Sequence, residues 1–209
     1  VWSLVVAYRN SSLPTRNLFV FDGLVRASGT PTDISVSGFL TPASGVVNST
    51  VGIVSYDGDA NFNDSGLQFG ATTTTLNPIF NAINPTNDVF NSTISAFGSR
   101  ITVGRTPSFD NILGTDIDLF TPNTPLPNGS TSAVVRVTGA ANDVIYPGVI
   151  TLATDIYRPN IKDLLNKTVI DVNGGALISG DILEYELVVK NIGMDGAQNV
   201  VLTDSIPAG

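Results

Sequence analysis

Cysteine and histidine are both missing from this 209-residue chain. Without cysteine there is no disulfide, no thiolate metal site and no Cys nucleophile. A domain of this size can do without disulfides, which small secreted domains need most. Without histidine the usual general base, the Ser-His-Asp relay and nearly all zinc sites are out of reach. Basic residues are few: 10 Lys and Arg stand against 18 Asp and Glu, for a net charge of -8. Nucleic acid needs a basic footprint and is not an expected partner. Acidity of this kind favours cations and solubility. Glu and Lys, both strong helix formers, occur only two and three times. No apolar run is long enough to cross a bilayer, Val1–Tyr8 being far too short, so direct membrane insertion of this segment is not expected.

What is present is β signal. Runs rich in Val, Ile, Thr, Phe and Tyr predict strands at Ser3–Tyr8, Leu18–Asp22, Ile34–Leu40, Val51–Tyr56, Val89–Ala96, Ser132–Thr138, Val144–Asp155, Lys167–Val172, Ile182–Lys190 and Val200–Asp204. Several alternate apolar with polar residues, the pattern of sheets with one wet face. One helical turn is predicted at Ile161–Asn166, after Pro159. The fold class is therefore all-β, with a sandwich or jelly roll as the expected architecture. A break falls at Tyr157–Asn160, where Pro and Asn separate two strand runs. Both ends read as cuts through a longer polypeptide: Val1 opens inside a strand-like run, and Pro207-Ala-Gly209 is a turn signal.

The C-terminal stretch carries Lys167-Thr-Val, Ser179-Gly-Asp181, Glu184-Tyr-Glu186-Leu-Val-Val-Lys-Asn191-Ile-Gly193 and Asn199-Val-Val-Leu-Thr-Asp204-Ser-Ile-Pro207. In this order they resemble the opening half of a repeat domain of long bacterial and archaeal surface proteins, the family called domain of unknown function eleven. Upstream, Trp2–Tyr8, Arg16–Gly23, Gly114–Phe120, Asn128–Arg136 and Pro147–Tyr157 are similar to a jelly-roll-like module that often precedes those repeats. The resemblance implies a jelly-roll-like β-sandwich over residues 1–157 and an incomplete Ig-like repeat domain over 161–209. A whole Ig-like sandwich takes about seven strands and about 100 residues. The stretch from Lys162 holds about half of that, which leaves an open edge and a bare apolar face. Either the remaining strands belong to the same polypeptide or another chain adds one.

The densest group of ligand-type oxygens is Asp57-Gly-Asp59-Ala-Asn61-Phe-Asn63-Asp64-Ser-Gly66. Oxygens at its first, third and fifth positions suit Ca²⁺, which takes about six to eight hard oxygen ligands. It is not an EF-hand, since Gln68 stands where the twelfth-position Glu belongs. The competing reading is a polar turn, because Asp, Asn and Gly are turn residues in their own right. Asp116 and Asp118 form a second acidic group. On a strand they share one face, where they are either solvated or bridged by a cation together with the Asp57 loop or Asp22. The metal set is thus Asp57, Asp59, Asn61, Asn63, Asp64, Asp116 and Asp118, with Ca²⁺ as the ion.

Other chemistry is thinner. Paired carboxylates suffice for glycoside hydrolysis, but sixteen Asp residues give many chance pairs, and no enzyme is expected. Lys167, with Glu184 and Glu186 two strands on, has the makings of a Lys-to-Asn isopeptide bond, against an ordinary solvated Lys. Asn10, Asn48, Asn63, Asn91, Asn128 and Asn166 each open an Asn-X-Ser/Thr sequon, a glycan acceptor where a glycosylation system exists. Trp2, Tyr8, Phe19 and Phe21 are expected in the core rather than on a sugar platform. The expected function is a structural, adhesive module of an extracellular cell-surface or filament protein. Its expected partners are other copies of itself or adjacent repeats. The rival is a Ca²⁺-dependent, lectin-like module that binds surface glycans.

Overall fold

The computed structural model describes residues 2–10, 12–63, 65–156, 159, 161, 165–191 and 196–205. Among these the protein is all-β, with no helix. Its strands are β1 (Arg16–Asp22), β2 (Thr32–Ser37), β3 (Ser49–Tyr56), β4 (Gly66–Gly70), β5 (Asn77–Pro78), β6 (Ile94–Ala96), β7 (Ser99–Arg100), β8 (Thr115–Phe120), β9 (Ser132–Thr138), β10 (Tyr146–Asp155), β11 (Leu165–Asp171) and β12 (Leu183–Val189). The chain divides into two compact units, residues 1–156 and 157–209.

In unit 1 a six-stranded sheet runs β1-β10-β3-β8-β6-β7 and a four-stranded sheet runs β2-β9-β4-β5. All pairs are antiparallel except β6 with β8. The two sheets share one core, as in a β-sandwich. Val51, Ile53, Phe120, Ile150 and Leu152 of the larger sheet pack in one cluster with Val36, Leu67, Phe69, Val135 and Val137 of the smaller. Strand alternation produces this: in β9, Ala133, Val135 and Val137 point inward while Arg136 turns outward to Asp33 on β2. Each buried Val, Leu, Ile or Phe contributes about 1.5–3 kcal/mol.

Unit 2 contains one hairpin, β11 with β12, in the register Lys167↔Leu187 and Val169↔Tyr185. Its apolar side chains remain open to solvent on both faces. Val169 and Tyr185 are exposed on one, Ile170 and Val188 on the other.

Several expectations are corrected. Ser3–Tyr8 and Val200–Asp204 have strand composition but pair with nothing in a ladder. Of Val89–Ala96 only Ile94–Ala96 is strand; the side chains of Asn91 and Thr93 are engaged in an interior polar network instead. Trp2 and Tyr8, expected in the core, are exposed, whereas Phe19 and Phe21 do pack against it. Of the helical turn expected after Pro159, Leu165 and Asn166 instead open β11, while Lys162, Asp163 and Leu164 lie outside the described residues. So do Tyr157, Arg158 and Asn160 of the expected break.

Candidate functional site

β8 places the site. It lies between β3 and β6 in the larger sheet, so one of its faces meets the core. Its sequence, Thr-Asp-Ile-Asp-Leu-Phe, alternates buried and exposed from Asp116 onward. Phe120 belongs to the core cluster, and Asp116 and Asp118 share its face. Their exposures are 0% and 1%. The solvated account of these carboxylates is therefore overturned. Ile117 and Leu119 instead take the outer face.

Each carboxylate is half satisfied. Asp116 Oδ1 accepts the Thr93 N–H at 3.2 Å, and Asp118 Oδ1 accepts the Ser95 hydroxyl. The second oxygen of each, Asp116 Oδ2 and Asp118 Oδ2, has no hydrogen-bond partner. Ser55, directly opposite Asp116 in the β3–β8 register and fully buried, also has an unpartnered Oγ.

Neutral polar groups surround the pair. Asn84, fully buried, donates through Nδ2 to Ser95 Oγ at 2.9 Å. Thr93 Oγ1 donates to Asn91 Oδ1 at 2.7 Å. Asn91 Nδ2 donates to the carbonyls of Ile83 at 2.9 Å and Asp88 at 3.0 Å.

Burial pushes the Asp116 carboxyl up to about 8, and the neighbouring Asp118 charge adds to the rise; backbone N–H groups of Thr93, Asn91 and Ser92 oppose it. Burial also raises Asp118, to about 6, opposed by the Ser95 hydroxyl and the nearby Asn84 amide. Both shifts express the cost of a carboxylate charge away from water. No Lys or Arg forms an ion pair with either carboxylate among the described residues.

The Asp57 loop reaches this site with its backbone. Gly58 is buried and lies so close that an added Cβ would collide with Asp116 Oδ2 and sit 2.6 Å from the Phe90 carbonyl oxygen. The Gly58 carbonyl accepts the Ser92 hydroxyl. The Asp57 N–H donates to the Gly114 carbonyl at 2.7 Å, and the Gly114 N–H to Ser92 Oγ at 2.9 Å. Asp57 takes φ 70° and Asn61 φ 69°, a left-handed turn conformation that Asp and Asn tolerate. The side chains of Asp57, Asp59, Asn61 and Asn63 are exposed, and Asp64 lies outside the described residues. Of the seven predicted ligands, Asp116 and Asp118 come together. The loop joins them through Gly58, and no group of three or more acidic side chains gathers around a common point among the described residues. Asp22 stays apart: it ends β1 opposite Val149 of β10, three strands and roughly 14 Å from β8.

Sequence reasoning missed Ser55, Asn84, Asn91, Ser92, Thr93 and Ser95. Asn91-Ser-Thr93 has the form of a sequon, yet Asn91 is buried with its amide engaged. The other five sequon asparagines are exposed. The buried Asp pair also offers no face to a sugar, so it cannot flank a glycosidic bond.

In unit 2, Lys167 is exposed and forms a surface ion pair. Its Nζ meets Asp204 Oδ2 at 2.7 Å and stands 4.5 Å from the centre of the Tyr185 ring. Lys167 pairs with Leu187, so Glu184 and Glu186 project from the opposite face of the hairpin. Among the described residues the carboxylate paired with Lys167 is that of Asp204. Comparison with protein-family models, with curated proteins and with solved structures found no match.

Proposed function

We propose that the chain is a structural and adhesive module of an extracellular cell-surface or filament protein, assembled by β-strand complementation. The observation that carries this reading is the β11–β12 hairpin. A two-stranded ribbon alone is marginal in water, and this one keeps Val169, Ile170, Tyr185 and Val188 exposed across its two faces. Its outer backbone edges have no strand beside them among the described residues. Such a ribbon gains an apolar partner and a hydrogen-bonded ladder when another strand is added. The segment Trp2–Tyr8 has the matching character: extended β composition, no ladder of its own, and exposed Trp2, Leu4, Val6 and Tyr8. In this reading the strand comes from a neighbouring copy of the chain. The acidic composition without Cys or His agrees with a structural role.

Electron microscopy and light scattering of the chain against Ile170→Lys/Val188→Lys test it. The reading predicts regular fibres or a defined oligomer for the parent and a folded monomer for the variant. A parent chain that stays monomeric at every concentration contradicts it.

A further inference from the structure

Three oxygens without hydrogen-bond partners lie on the inner face of the larger sheet in unit 1: Asp116 Oδ2, Asp118 Oδ2 and Ser55 Oγ. The register makes them neighbours. Ser55 is opposite Asp116, and Asp118 follows two residues along the same strand face. All three residues are at most 1% exposed. Buried polar atoms in folded proteins nearly always find a partner, and a buried carboxylate without a compensating charge is strongly disfavoured. Here two such carboxylates stand side by side, with no Lys or Arg paired to either among the described residues.

We propose that Asp116 and Asp118 bind one Ca²⁺ ion inside unit 1, with Ser55 Oγ as a third ligand. The donors are all hard oxygens, which selects an alkaline-earth ion over zinc or copper. Ca²⁺ accepts irregular oxygen sets, whereas Mg²⁺ demands a near-ideal octahedron. Further oxygens are close at hand: the Phe90 carbonyl faces Gly58 beside Asp116. A surface pocket nearby is lined by Asn61, Asp88, Asn91, Thr93, Arg100 and Asp110. Asn91 and Thr93 belong both to that pocket and to the network holding Asp116. In this arrangement the Asp57 loop closes the site with its backbone, and its exposed carboxylates are not ligands. The inference rests on unit 1 alone and does not depend on the assembly proposed above.

Calorimetric titration of the chelator-stripped full chain with Ca²⁺ at about pH 8 tests it, paired with thermal unfolding. One ion should bind per chain and raise Tm by several degrees. Asp116→Asn and Asp118→Asn should each weaken binding by more than about tenfold. In chelator, each should unfold at a Tm no lower than the parent's, because the amide removes a repelling charge at constant shape. That second readout separates a lost site from a lost fold. Asp57→Asn/Asp59→Asn should bind as the parent does. The inference is overturned if Ca²⁺ leaves Tm unchanged, if Mg²⁺ stabilises equally, or if the Asp57→Asn/Asp59→Asn variant is the one that loses the ion.

Discussion

Ser55 and Asp116 face each other across the β3–β8 ladder, both turned into the interior, and each keeps an oxygen without a hydrogen-bond partner. Their neighbours on these strands are core residues: Ile53 on β3 and Phe120 on β8. A polar pocket is thus set into an apolar sheet face, and its chemistry follows from how its charge is neutralised.

The first prediction concerns pH. In the unfolded chain Asp116 titrates near the ordinary 3.8, while in the folded protein it does so at about 8. The folded state therefore keeps a proton that the unfolded chain has lost. In chelator, the contribution of Asp116 to stability is largest below about pH 4, declines as pH rises, and is fully lost above about pH 8. The slope is about 1.4 kcal/mol per pH unit for one group. Asp118 adds to the decline up to about pH 6. Urea unfolding across this range, with Asp116→Asn as reference, reads the difference. A parent chain that gains stability relative to that variant as pH rises contradicts the assignment.

Gly58 gives a steric prediction. Gly58→Ala drives a methyl into Asp116 Oδ2 and the Phe90 carbonyl, and should cost about 1–3 kcal/mol, the usual range for overpacking. Gly23→Ala is the control. No atom lies within 4 Å of a Cβ there, so its effect should stay within about 0.5 kcal/mol. Equal denaturation midpoints for the two variants would contradict the close approach.

Asp155 supplies a test of the opposite edge of unit 1. Its carboxylate, nearly buried, accepts from Arg16 Nε at 2.8 Å and from Asn48 Nδ2 at 3.0 Å. Arg16→Ala leaves that charge with less compensation and should cost about 1–3 kcal/mol. Arg136→Ala, which breaks the more exposed pair with Asp33, should cost less. A reversed order in thermal unfolding would count against this account.

Lys167 should remain a free amine. Its ammonium is held by Asp204 and the Tyr185 ring, and Glu184 and Glu186 project from the other face. Intact mass spectrometry should return the mass of the unmodified sequence. A deficit of one ammonia would reveal an isopeptide bond instead.

These particulars show what a sequence discloses. β9 and β10 were legible because their apolar residues alternate or run together with strong β propensity. β8 was legible only as a condition, because Asp is depleted in strands and Asp-Ile-Asp-Leu invites the apolar residues inward. The fold turns them outward, since Phe120 fixes which face meets the core. Ser3–Tyr8 and Val200–Asp204 have the composition of strands, but pairing depends on distant partners that composition does not encode. The site was half visible. Asp116 and Asp118 were recognisable as a pair, whereas Ser55 and Asn84 join it through sheet register and loop path.

The most direct test of the central claim, that the open ribbon is completed by another strand, is amide hydrogen exchange of β11 and β12 as a function of protein concentration. The account predicts slow exchange along both strands in concentrated protein and fast exchange on dilution, with the core strands of unit 1 unchanged. Exchange that is equally fast at every concentration would show that no strand is added, and would contradict the claim.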